Sequence, residues 1–349
     1  MAEMRHDGTP SGRPAPEGHG HMTARSPGLV TGRNAAQAVP GPRSAAPRPP
    51  QTGAGRTLAW LRRRHVALLL FALPGLAVYV VAIVYPALDT LYTSLFNWDI
   101  LSGQHSFLGL GNYTELFGRD STFHTALKNT ALWTVIYVPV VLAMGLAVAL
   151  WLNREFRGRT ILRIVFYLPF VLSNVAAGLM WTLMYYPNSG LMDAITSHLG
   201  LSDVEFLANP SIALFSVLAA FIWQGVGAMM IIFLAGLQGI PKELYEVADV
   251  NGVMGWRRLR LVTMPLLRES FIVAGSLALI TSLNVFNIIY VMTLGGPGDA
   301  TQVLGTLTYF DAFQFGEFGQ GSAVAGVLVI IVMILGIGFV RRVARERYA

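Results

Sequence analysis

Six stretches of this chain, residues 66–88, 129–153, 164–192, 206–241, 270–298 and 318–340, contain no Asp, Glu, Lys or Arg, and the shortest runs for 23 residues. About 20 residues of helix cross the hydrocarbon core of a bilayer. A backbone in lipid must satisfy its own hydrogen bonds, which a helix does within one segment. The pattern therefore predicts an all-α polytopic membrane protein with six transmembrane helices. Composition agrees: 54% of residues are hydrophobic and 13% charged, against about 25% charged in soluble globular chains. That argues against a soluble enzyme, and so much apolar surface excludes disorder over most of the length.

Residues 1–57 stand apart, with nine of the 18 prolines, nine of the 36 glycines and seven arginines against Glu3, Asp7 and Glu17. They cannot bury enough apolar surface to offset their ordering entropy. They read as a disordered cytoplasmic tail, and not as a signal peptide, because no apolar run follows the early charges. Residues 58–349 then form the transmembrane domain.

The net charge of +6 would suit nucleic acid if it were spread over one surface, but its placement points to a membrane instead. Arg62, Arg63 and Arg64 precede the first window; Arg154, Arg157, Arg159 and Arg163 follow the second; Lys242, Arg257, Arg258, Arg260 and Arg268 follow the fourth; Arg341, Arg342, Arg345 and Arg347 follow the sixth. The alternate loops carry Asp193, Asp203, Glu205, Asp299, Asp311 and Glu317, with Arg119 and Lys128 as their cations. Basic residues gather on the cytoplasmic side, so both termini are expected in the cytoplasm.

No ionisable Asp, Glu, Lys or Arg lies in mid-span, which counts against a proton-coupled carrier and a voltage sensor. A carrier coupled to Na⁺ through backbone carbonyls stays open. The polar residues within the windows are neutral: Ser173, Asn174, Thr182, Gln224, Thr281, Ser282, Asn284 and Asn287. Singly, each is best read as helix–helix hydrogen bonding. Together with Trp181, Trp223 and Tyr290 they suit a neutral polyol, whose C–H faces stack on rings and whose hydroxyls need partners. Pro139 and Pro169 should kink their spans. Nothing supports catalysis or a metal: the histidines do not cluster with carboxylates, there are no cysteines, and neither lysine, Lys128 nor Lys242, belongs to a phosphate-binding loop. Gly225-Val226-Gly227 lies within a window and reads as a close-packing site. No cofactor is expected.

Residues 238–268, between the fourth and fifth windows, read as a short amphipathic helix–turn–helix. Pro241, Lys242 and Glu243 suit a helix start. Leu244, Val247 and Ala248 share one face, Asn251-Gly252 marks a stop, and Trp256, Leu259 and Val262 form a second stripe before Pro265.

The spacing Glu246-x-Ala248-x-x-x-Gly252, nine residues, then Val262-x-Met264-Pro265 resembles the EAA loop of permease subunits of bacterial ABC importers. Val247, Val262 and Met264 depart from the family pattern but stay apolar, and Asn251 stands where an Asp is common. Residues 95–100 with 107–117, and Thr293-Leu-Gly-Gly-Pro-Gly-Asp-Ala-Thr301 with Gly319-Gln-Gly-Ser-Ala323, are similar to outer loops of the carbohydrate-uptake permeases of the maltose and glycerol-phosphate type. The resemblance covers roughly residues 60–345; the first 57 match nothing in that family.

This resemblance implies a type I importer permease in the bacterial inner membrane. It implies a second, different permease subunit as partner, two ATPase subunits that hydrolyse ATP in its place, an extracellular solute-binding protein and a sugar substrate. It assigns Glu246, Ala248, Gly252 and Pro265 to ATPase coupling, and Trp223, Gln224, Gly225, Asn284 and Asn287 to sugar contacts. An autonomous secondary carrier, an ABC permease for amino acids or peptides, and a non-transporting scaffold are the rivals.

Overall fold

The computed structural model describes residues 71–200 and 204–347. The 1–57 tail and Arg62–Arg64 lie outside them. Helix α1 (Phe71–Thr93) leads into a hairpin of β1 (Phe96–Asp99) and β2 (Gln104–Phe107), then α2 (Gly111–Gly118) and the long α3 (Ser121–Leu152). Next come α4 (Arg159–Val171), α5 (Asn174–Met184), α6 (Leu191–His198) and α7 (Ala213–Gln238). The remainder comprises α8 (Lys242–Val250), α9 (Gly255–Leu266), α10 (Arg268–Leu283), α11 (Asn287–Met292), α12 (Leu304–Tyr309) and α13 (Phe318–Arg347).

Four helices, α1, α3, α7 and α13, are long and apolar enough to cross a membrane unaided. With each of two bent pairs counted as one span the number rises to six: α4 and α5 meet at 99°, α9 and α10 at 72°. The third window is thus a broken helix rather than one continuous span. In the fifth, α10 stops after 16 residues at Leu283 and the chain restarts in α11.

Proline chemistry explains part of this irregularity. A proline lacks an N–H and its ring crowds the carbonyl four residues back. A π-helical turn, Val80–Val84, precedes Pro86, and another, Leu259–Thr263, precedes Pro265; the wider turn makes room for the ring. Pro169 lies two residues before the end of α4, at the 99° break. Pro139 produces no comparable break, and α3 runs on through it as one helix.

The centre of the fold is α7. Of its apolar window 72% is buried, whereas none of α1's is. It packs against α3, α4 and α10, while α11 packs on α5 and α13 packs on α1, α12 and β1. Glycines permit the close approach: a Cβ on Gly225 would meet the Tyr137 hydroxyl and Val141 of α3, and one on Gly227 would meet the Phe166 carbonyl and Tyr167 Cα of α4. The close-packing reading of this pair holds.

The hairpin, absent from the all-α expectation, pairs Phe96 with Phe107 and Trp98 with His105. Asn112 secures it: its buried amide donates to the carbonyls of Ser94 (2.8 Å) and Phe96 (2.9 Å). The 293–304 loop is tied to α3 in the same way. Asn129 donates to the carbonyls of Ala300 (3.0 Å) and Gln302 (2.9 Å), and Thr130 Oγ1 accepts from the Leu304 N–H (3.0 Å). The segments quoted for their family resemblance at this end are therefore pinned by neutral side-chain amides and hydroxyls.

Candidate functional site

The residues expected to act fall in two regions, one inside the bundle and one at its Arg-rich end. Inside, the break at Leu172–Ser173 decides the geometry. Ser173 caps α5, its Oγ accepting from the Ala176 N–H at 3.2 Å. Gln224, 5% exposed at the centre of α7, donates from Nε2 to the Leu172 carbonyl at 2.7 Å. One half of the Gln224 amide thus holds the break closed against α7. The other half, Oε1, is buried without a partner.

Trp223, the neighbour of Gln224, meets Trp181 of α5 edge-on at 5.7 Å between ring centres. The Nε1 of Trp181 is buried and unpaired, as are Trp133 Nε1 and Thr134 Oγ1 on α3. Buried polar atoms are normally satisfied; these four, on α3, α5 and α7, have no protein partner. Gly225 lies against α3.

The predicted residues of the fifth span lie elsewhere along the chain's path. Asn284 occupies the gap between α10 and α11, where it is exposed and donates to the Ile280 carbonyl at 2.9 Å. Asn287, exposed, opens α11. Between them Phe286 stacks on Tyr290 (5.3 Å), which meets Tyr309 edge-on (5.2 Å). Thr182 and Ser282 donate to carbonyls of their own helices, so these two hydroxyls do not make the helix–helix bonds expected of them.

At the Arg-rich end, α8 and α9 form the expected helix–turn–helix. Gly252 makes the turn at φ +71°, with open space where a Cβ would stand. Asn251 Nδ2 donates to the Val247 carbonyl at 2.7 Å, a bond that an ionised Asp, an acceptor only, is unable to make. The two helices are clamped by Arg258, whose Nη1 reaches both oxygens of Asp249 (2.9 and 3.2 Å) and whose guanidinium lies 5.5 Å from the centre of the Tyr245 ring. Neither Asp249 nor Arg258 stood out in the sequence; nine residues apart across a turn, they carry no helical spacing.

The expected apolar stripes are split between burial and exposure, with Leu259 and Val262 half-buried. Ala248 is buried, but Leu244 and Val247 are exposed, as are Val250, Met254 and Trp256. Glu246 is exposed beside them, and Pro265 is exposed further along. Behind the hairpin lies a cavity of ≈ 570 Å³ lined by Asn153, Arg154, Tyr245, Trp256 and Arg258 among others.

Comparison with known proteins completes the picture. Residues 140–348 match the family described as binding-protein-dependent transport system inner membrane component. The trehalose/maltose transport system permease protein MalF of Thermococcus litoralis is 34% identical over 272 residues, covering 78% of this chain and 92% of that protein. The sulfoquinovosyl glycerol transport system permease protein SmoG of Agrobacterium fabrum is 36% identical over 279 residues, covering 80% and 90%. A chain of the bacterial alginate ABC transporter, solved in complex with alginate pentasaccharide-bound periplasmic protein, shares the fold with a TM-score of 0.68 at 21% identity, over 83% of this chain and 96% of that one. With a family match over more than half its length, relatives aligned nearly end to end and a helical bundle of the same fold, this chain belongs to the inner-membrane permease components of binding-protein-dependent transport systems.

Proposed function

We propose that this chain is the permease subunit of an ABC importer that accepts a sugar or oligosaccharide from an extracellular binding protein and passes it across the cytoplasmic membrane. It pairs with a second permease and two ATPase subunits, and both its termini face the cytoplasm. The observation that carries the reading is the set of exposed apolar side chains on α8, α9 and the turn between them. Leu244, Val247, Val250, Met254 and Trp256 are exposed on the Arg-rich side, where a partner surface would cover them. The names of the relatives supply the sugar, and the unpaired polar atoms beside Trp181 and Trp223 suit it.

The mechanism follows from the connections. The Asp249–Arg258 clamp makes the hairpin one body, and buried Thr263 and Leu267 root it in the bundle. Movement of the hairpin by closing ATPases tilts α7 and α10, to which it is joined directly. Since α7 holds the α4–α5 break through Gln224, the tilt reaches the break. Packed helices of this kind shift between discrete arrangements, so access to the region around Trp181, Trp223 and Gln224 alternates between the two sides.

The test is reconstitution. The permease purified with its partner permease and ATPases, in vesicles with a binding protein outside, should accumulate sugar only when ATP is supplied inside. Uptake by this chain alone, driven by a Na⁺ or proton gradient, would refute the reading and favour a secondary carrier.

A further inference from the structure

At the end of α3 opposite the coupling hairpin lies a second cavity, of ≈ 540 Å³. Its walls carry Glu115 of α2, Asp120 at the start of α3, Asp299 of the 293–304 loop, and Asp311 and Glu317 from the segment before α13; Arg119 is the one cation among them. Two of these groups have local partners: Asp120 caps α3 through the Phe123 N–H at 2.9 Å, and Asp299 accepts from Thr122 at 3.3 Å.

Asp311 differs from the rest. It is 6% exposed, and its Oδ2 is buried without any hydrogen-bond partner. Burial, with Asp120 and Glu317 adding to it, pushes its pKa up to about 7. Glu317 is raised in the same direction, by burial and then by Asp99, Glu115 and Asp120. An ionised Asp311 is therefore costly without a cation beside it. The folded chain holds a proton there that the unfolded chain releases, so this contribution to stability is lost as pH rises through about 7. A cation in the cavity would remove that cost.

The kind of cation follows from the shape. No group of three His, Cys, Asp or Glu among the described residues is placed to hold a metal ion. The carboxylates are spread around a space far larger than an ion, and Leu307 and Phe310 give it an apolar wall. A long basic side chain fits: an apolar stem along the wall, and several N–H donors reaching separate acceptors.

We propose that this cavity receives an arginine or lysine side chain of the extracellular binding protein. The proposal rests on the reading above, which puts this end of α3 outside the cell, and it names the charge contact by which the two proteins dock.

The assembled wild-type transporter in lipid nanodiscs tests it, with ATPase activity followed as its binding protein is titrated. Asp311→Asn should raise the half-saturating concentration of binding protein by about 30-fold or more, the scale of a lost buried charge pair, and the exposed Glu317→Gln by a smaller factor of about two to five. Asp193→Asn, a carboxylate outside the cavity, should leave it unchanged. Lowering the pH from about 8 to about 6 should weaken docking of the wild type by up to about tenfold, because a proton then competes for Asp311; Asp311→Asn should flatten that profile. Melting of each variant in the complex shows that it is folded, and the exposed Glu317 serves where Asp311→Asn does not assemble. Wild-type saturation and pH dependence in both variants would overturn the proposal and leave the importer reading standing. Stoichiometric uptake of CaCl₂ or MgCl₂ by the wild type, lost in Asp311→Asn, would overturn it in favour of a free metal ion. A wild-type complex that no binding protein stimulates would defeat the importer reading itself, and the docking proposal with it.

Discussion

Gln224 shows how one side chain serves two purposes inside the bundle. Its Nε2 satisfies the Leu172 carbonyl at 2.7 Å, and its Oε1 is left without a partner. Gln224→Leu keeps the bulk and removes both. An unsatisfied buried carbonyl costs about 1–3 kcal/mol, so the variant should melt lower in detergent as well as lose transport. Unchanged melting with lost transport would mean that Gln224 acts on the solute alone. At the hairpin, Asp249→Asn keeps one acceptor for Arg258 but loses the charge. The pair is about half exposed, so the change should cost no more than about 1 kcal/mol, and transport should fall modestly. Abolished transport would show that Asp249 does more than brace the turn.

Among the elements, two glycines separate two causes of intolerance. Gly252 sits at φ +71° in open space, so a substitution there is opposed by the backbone and not by neighbours. A β-branched residue is disfavoured at positive φ. Gly252→Val should distort the α8–α9 turn while leaving the permease inserted, and the ATPase should no longer co-purify or should hydrolyse ATP without uptake. Normal attachment with normal uptake would remove the hairpin's coupling role. Gly227 is the converse case, since a Cβ there strikes the α4 backbone at Phe166 and Tyr167. Gly227→Val should separate α7 from α4 at a cost of about 1–3 kcal/mol. It should lower the melting temperature and expression rather than ATPase attachment.

For the whole molecule the decisive quantity is orientation. The two cavities lie at opposite ends of α3, one lined by Asp120 and Thr122, the other by Leu150 and Asn153. A 32-residue helix spans about 48 Å, enough to put one cavity on each side of a bilayer. The chain has no cysteine, so single cysteines report cleanly. Ser189→Cys and Gly298→Cys should react with a membrane-impermeant maleimide on intact cells, and Arg159→Cys only after lysis. The reverse pattern would invert the topology and place the acidic cavity inside.

The sequence by itself determined the six apolar windows, the alternation of basic and acidic loops between them, and a helix–turn–helix within residues 238–268. Each of these depends on local quantities: the hydropathy of one segment against lipid, the charge of one loop, the need for glycine at one turn. It placed a kink at Pro169 but not the sharpness of the break there, and it did not disclose the broken fifth span, the exposure of Leu244 and Val247, the Asp249–Arg258 clamp or the buried Asp311. The candidate sugar contacts show the same limit. Trp223 and Gln224 could be named from their neutral polarity and aromatic character, but the Leu172 carbonyl that engages Gln224 lies 52 positions away. The two ends of the Asn129–Gln302 bond are 173 positions apart. Partnerships at such separations come into being only when the helices pack, because whether a polar group is satisfied depends on which segment arrives opposite it; that was for the tertiary structure to decide.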